Sequence, residues 1–144
     1  MPKKFFFLII AMLLLSTGGL SACATGGEHA FPMALIGSMP ANVQSASLEV
    51  QQAYQFASAN PGVTTHIPCY CGCKSLGHQS NYFCYVSSVD VDGVITYDSH
   101  ALGCSICVDI TQDAMRMLKD GKTVPEIRAY VDQTYAKYGP SNIQ

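Results

Sequence analysis

The chain is 144 residues long, the length of a single domain, with 49% hydrophobic residues, 12% charged residues and a formal net charge of −2. Its eight Lys and Arg residues form no basic patch able to displace counterions from a phosphate backbone, which excludes nucleic acid as a partner. No Ser/His/Asp triad or paired-carboxylate arrangement stands out, so no enzyme is implied.

Lys3 and Lys4 precede an apolar run from Phe5 to Leu15, and Leu20-Ser21-Ala22-Cys23 then sets small residues before a cysteine. This order reads as a secretory signal peptide over residues 1–22; the run is too short for a spanning helix, which needs ~20 apolar residues. The last four of these residues form a lipobox, which predicts a mature chain starting at Cys23 with a lipid on its thiol. Without Lys3 and Lys4, six basic residues face ten acidic ones. Two acyl chains suffice for stable anchoring, so the expected partner is a membrane and the expected location the extracytoplasmic face of the cell membrane. Ala24, where an Asp would retain the protein, permits outer-membrane sorting in a two-membrane bacterium. No twin-arginine pair precedes the apolar run, so export in the unfolded state is expected and any metal is acquired outside. That counts against an iron–sulfur cluster.

Residues 23–41, rich in Gly, Ala, Ser, Pro and Met, read as a flexible tether, and residues 42–144 as the folded, cysteine-rich domain. Val43, Ala46, Val50, Ala53, Tyr54 and Ala57 recur at three- and four-residue steps, which predicts a helix from Val43 to Ala59 with Asn42 as N-cap and a stop at Asn60-Pro61-Gly62. A loop follows, and Gly72 lets it bend tightly. Asp92-Gly93 between Val- and Tyr-containing segments predicts a short hairpin. Ser99 is placed to cap a helix running to Lys119, with Cys107, Ile110, Ala114, Met117 and Leu118 as its buried stripe. Gly121 supplies a left-handed C′ position. Thr123-Val124-Pro125-Glu126 has the form of a capping box, and Ile127, Tyr130, Val131, Thr134 and Tyr138 form one side of a last helix. The fold class expected is mainly α: about three helices, a Cys-rich loop and a β-hairpin.

Six cysteines lie between residues 69 and 107, with His78 and His100 among them. Outside the cytoplasm thiols oxidise unless bonded to sulfur or metal, so these are not bystanders. In an extended segment Cys69, Cys71 and Cys73 point to one side, where their sulfurs can reach one ion. Local disulfides between them would have unfavourable geometry. On a helix starting near Ser99, His100, Cys104 and Cys107 share a face, and first-turn amides would lower the thiol pKa values. Soft thiolates select Cu(I) and Zn(II), and four Cys/His ligands in a tetrahedron suit Zn(II). The candidate metal ligands are therefore Cys69, Cys71, Cys73, His78, Cys84, His100, Cys104 and Cys107. His66 is a weaker candidate. The role implied is sensing, buffering or transfer of the ion. Two other readings stay open: a framework of three disulfides without metal, and a thiol–disulfide oxidoreductase using Cys104-Ser105-Ile106-Cys107.

The hexapeptide Pro68-Cys69-Tyr70-Cys71-Gly72-Cys73 resembles the motif that names the PCYCGC-motif lipoprotein family. The similarity continues through Gly77-His78-Gln79-Ser80, Cys84-Tyr85-Val86, Asp98-Ser99-His100 and Gly103 to Ile110. The resemblance implies an exported bacterial lipoprotein and no particular activity.

Overall fold

The structure, a computed structural model, describes residues 31–143. The signal peptide, Cys23 and the first part of the tether lie outside the described residues. Five helices and one hairpin follow in order: α1 (Ala41–Gln44), α2 (Leu48–Ala59), α3 (Pro61–Thr64), β1 (Val86–Val89), β2 (Ile95–Tyr97), α4 (Ser105–Lys119) and α5 (Val124–Tyr135). The domain is thus mainly helical with a short antiparallel hairpin, and α2, α4 and α5 are its long helices.

The helix expected from Val43 to Ala59 is broken. Residues 45–47 separate α1 from α2, with Ser47 extended (φ −62°, ψ 158°) at the N-cap of α2. Serine competes with helical backbone through its own hydroxyl and favours such boundaries. The carbonyls freed at the break are met by one side chain, since Gln51 Nε2 donates to Gln44 O (2.9 Å) and Ala46 O (2.8 Å). Residues 31–41, expected to be tether, instead pack on α2. Met39 is buried, the Phe31 and Phe56 rings meet edge-on at 4.8 Å, and Gln55 and Asn60 donate side-chain hydrogen bonds to Ala34 O and Pro32 O. Two polar side chains aimed at otherwise unpaired carbonyls are what fix this segment.

Ala53, Tyr54, Phe56 and Ala57 of α2 pack with Cys107, Val108, Ile110, Ala114, Met115 and Met117 of α4 and with Ile127, Val131 and Tyr135 of α5. The α4–α5 link is closed as its residues dictate. Gly121 takes φ +75°, and the Gly121 and Lys122 amides donate to Leu118 O and Met117 O, each at 2.9 Å. Thr123 and Glu126 form a reciprocal capping box. In the hairpin, Val86 pairs with Tyr97 and Val89 with Ile95, with an irregularity between Val86 and Ser88. Its turn is held by Asp90 Oδ1, which accepts from the Asp92 and Val94 amides, and by Gly93 at φ +82°.

The helix expected from Ser99 starts six residues later. His100–Leu102 is a separate 3-10 turn, and Gly103 and an extended Cys104 (φ −121°, ψ 95°) stand before Ser105. Gly103 is a poor helix former, and Cys104 occupies the N-cap, where extended backbone is the rule. His100, Cys104 and Cys107 are therefore not one helical face. They converge because the chain turns between them.

Candidate metal centre

The Cys69–Cys84 loop is built from four devices. Pro68 and Ile67 are buried, so the loop enters from the core. Gly72 (φ +82°) and Gly77 (φ +90°) flank the 3-10 turn Cys73–Leu76; both need the left-handed region, which glycine enters without a Cβ penalty. The His78 amide donates back to Cys73 O (3.3 Å) and the Asn81 amide to Ile67 O (2.8 Å). A further 3-10 turn, Tyr82–Cys84, then delivers Cys84.

Two distant segments lock this loop. Asn142 Oδ1 accepts from the Cys69 amide (2.6 Å), and the Asn142 amide donates to Cys69 O (3.1 Å). Asn142 Nδ2 faces Cys73 Sγ (3.6 Å) and His78 O (3.3 Å). The Tyr70 hydroxyl donates to Asp132 Oδ1 (2.5 Å) on α5; burial, with Asp132 beside it, raises the Tyr70 pKa to about 12. On the helix side, Cys107 O accepts from Tyr85 Oη (2.8 Å), Asn81 Nδ2 (3.2 Å) and Thr111 Oγ1 (3.0 Å), all buried. That network ties the first turn of α4 to the loop.

All eight candidate ligands converge. Cys69 Sγ lies 3.4 Å from Cys71 Sγ and 3.2 Å from Cys107 Sγ. Cys107 Sγ lies 3.6 Å from Cys71 Sγ and 3.3 Å from Cys104 Sγ. Cys73 and Cys84 are 3.8 Å apart, and His100 Nε2 is 3.4 Å from Cys71 Sγ. No disulfide joins any of these cysteines. Sulfurs bound tetrahedrally to one zinc at ~2.3 Å stand about 3.8 Å apart. Cys73 and Cys84 have that separation and the other pairs are closer, so the groups are compact enough to hold an ion. Four groups of ligand atoms lie within 4.8 Å of one another: Cys71/His100/Cys104/Cys107, Cys73/His78/Cys84/His100, Cys69/Cys71/Cys73 and Cys69/Cys84/Cys107. His66, by contrast, is exposed and its Nδ1 meets Gly62 O at 3.1 Å, away from the centre.

The ring of His78 tests whether a cation fits. It is 8% exposed, and its Nδ1 is buried with no hydrogen-bond partner. Its Nε2 lies 3.5 Å from Asp98 Oδ2. A ligating histidine presents its ring in this way, one nitrogen toward a carboxylate and the other left for the metal. Asp98 is itself fixed, accepting from the His100 amide (2.7 Å) and the Ser87 hydroxyl (3.2 Å).

Thiols this close cannot all ionise together, because adjacent thiolates repel and burial penalises each charge. Hydrogen bonding from Cys84, with smaller contributions from His100 and Cys69, pulls Cys71 down to about 4 despite its burial. Neighbouring thiols, Cys107 first, hold Cys73 low as well. Cys84 and Cys107 go the other way, because each is the proton donor to adjacent sulfur. Cys104 is raised by burial. The expectation that the start of α4 lowers Cys104 and Cys107 is therefore corrected: desolvation and sulfur neighbours outweigh the partial charge of the helix end. A soft cation would replace the protons that remain on such a cluster and offset its thiolate charge.

Sequence reasoning missed Asp98, Asn142 and the Asn81–Tyr85–Thr111 network. Asp98, two residues before His100, carried a usable signal as a carboxylate close to a candidate ligand. Asn142, 73 positions from Cys69, carried none.

The model of the family described as "protein of unknown function with PCYCGC motif" matches residues 32–142. The chain belongs to this family. No curated protein and no solved structure matches it. The matched range takes in all eight converging donors, and also Asp98 and Asn142. It begins inside the segment that packs on α2 through Phe31 and Met39. Among the described residues, no helix is long and apolar enough to cross a membrane.

Proposed function

We propose that this is an extracytoplasmic lipoprotein, anchored through a lipid on Cys23, that binds a soft transition metal ion, Cu(I) or Zn(II), for sensing, buffering or hand-over. The observation that carries the reading is the convergence of six sulfurs and two imidazoles on one buried centre. The donor chemistry fits: thiolates and imidazoles are what soft and borderline ions select. His78, with a buried nitrogen unpaired and a carboxylate behind its ring, supports the same reading.

The geometry favours metal over disulfides. A disulfide needs one partner per cysteine, yet Cys107 has Cys69, Cys71 and Cys104 at 3.2, 3.6 and 3.3 Å. No pairing is singled out. Oxidoreductase activity draws less support, because Cys104 and Cys107 are two members of a larger thiol cluster and not an isolated dithiol.

The donors differ in exposure. Cys69, Cys73, Cys84, Cys107 and His78 are buried, while Cys71, His100 and Cys104 are partly exposed. Cys104 borders a cleft of about 340 Å³ with Glu49, Leu102 and Gly103. Ligand exchange through this rim is what buffering or hand-over requires.

The test uses the full chain, extracted from membranes in detergent. Its native mass is compared with its denatured mass. An excess of ~64–65 Da per ion, lost on denaturation with six thiols then free, is the expected result for metal tied to the fold. Elemental analysis separates copper from zinc. A denatured mass six hydrogens light, without any adduct, means three disulfides and ends the metal reading.

A further inference from the structure

Resting on that metal-binding reading, we propose that the centre holds two ions in two adjacent Cys3His sets. The first set is Cys71, His100, Cys104 and Cys107, whose ligand atoms all lie within 4.8 Å of one another. The second is Cys73, His78 and Cys84, which lie within the same limit of one another and of His100. It is completed by Cys69, whose sulfur lies within 4.8 Å of Cys73 and Cys84 and is grouped with neither histidine. His100 is near both sets. Its Nε2 is 3.4 Å from Cys71 Sγ, and with His100 in the first set, that set has its four donors. Cys69, which touches Cys71 and Cys107 but also lies near Cys73 and Cys84, is the donor left to complete the second.

The donor count accommodates more than one ion. A tetrahedral ion takes four donors, so a single ion leaves four of the eight unused. At least two of those are thiols, which then stay protonated beside the site. Two divalent ions use every donor and offset four of the six thiolate charges. Cys3His is moreover a ligand set that four-coordinate zinc adopts, and here it arises twice. The two sets differ in how they are held. The second lies wholly within the loop Cys69–Cys84, with Asn142 and Asp98 behind it. The first joins that loop to the start of α4. Cys69 Sγ, touching Cys71 and Cys107 at 3.4 and 3.2 Å, is the point where the two sets meet.

The experiment loads the reduced, metal-stripped full chain with Zn(II) in detergent without oxygen. Bound zinc is counted by native mass and elemental analysis, and its ligands are read by X-ray absorption. Two zinc ions per chain are expected, with on average three sulfurs at ~2.3 Å and one nitrogen at ~2.0 Å. The variant His100→Gln/Cys104→Ser, which alters two partly exposed donors, is expected to keep one zinc and a native circular dichroism spectrum. One zinc in the unaltered chain overturns the second set and leaves metal binding standing. None overturns the metal-binding reading as well. Four-sulfur coordination overturns the imidazole assignment, and a folded variant that loses both ions overturns the independence of the sets. Should the variant misfold, the count and coordination of the unaltered chain still decide.

Discussion

His78 has ring nitrogens in two unlike surroundings, one without a partner in the core and one beside Asp98. Asp98→Asn keeps the shape and removes the charge that orients the ring. Loss of such an outer partner is expected to weaken metal binding ~10–100-fold, measured by competition with a chromophoric chelator. His66→Ala, on exposed chain, serves as the control and is expected to change nothing. Asn142→Ala deprives the buried Cys69 amide of its acceptor. A buried donor left unmet costs ~1–3 kcal/mol, so urea unfolding of the metal-loaded chain is expected to show a lower midpoint. The eight side chains that the fold brings together could be singled out from sequence because cysteine and histidine have distinctive chemistry wherever they stand. Asn142 and Tyr85 could not, since amides and phenols are common and only three-dimensional proximity gives these two their task.

At the scale of elements, the amphipathic stripes of α2, α4 and α5, the Asp-Gly hairpin and the Thr123 capping box were legible, because each rests on local periodicity or local hydrogen bonding. The boundaries at Ser45–Ser47 and Gly103-Cys104 were not. At both places the apolar spacing runs on while the backbone leaves the helix, at the first with Gln51 capping the freed carbonyls and at the second with Gly103 and an extended Cys104 before Ser105. Two predictions belong here. Gly72 sits at φ +82° with open space around a would-be Cβ, so Gly72→Ala costs backbone strain alone, ~1–2 kcal/mol, read in the unfolding midpoint. Glu126 has its pKa lowered from 4.5, chiefly by the Thr123 amide hydrogen bond. A lowered carboxylate pKa stabilises the native state fully above the ordinary value, and that contribution vanishes as pH falls through the lower native one. Glu126→Gln is therefore expected to flatten the acid limb of the stability–pH curve below about pH 4.5 and leave its neutral part unchanged in slope.

For the whole molecule, metal and fold are expected to be one equilibrium. The centre brings together the loop, the start of α4 and, through Asn142, the segment after α5. Stripping the ion with a chelator is expected to lower the thermal midpoint. Restoring it should raise that midpoint with free metal concentration, by ~2.7 kcal/mol of stability at a hundredfold excess over Kd. A midpoint indifferent to metal would contradict the coupling. Cys71→Ser/Cys73→Ser is expected to abolish the effect, because it removes a donor from each set.

Asn142 follows every ligand in chain order, yet it pins Cys69 and faces Cys73. Every cysteine of the cluster therefore leaves the ribosome before the residue that orders Cys69 and Cys73. The geometry of the cysteine loop is written partly in an amide that has no special affinity for soft metals, and a truncation before Asn142 would keep the thiols while slackening the loop that presents them.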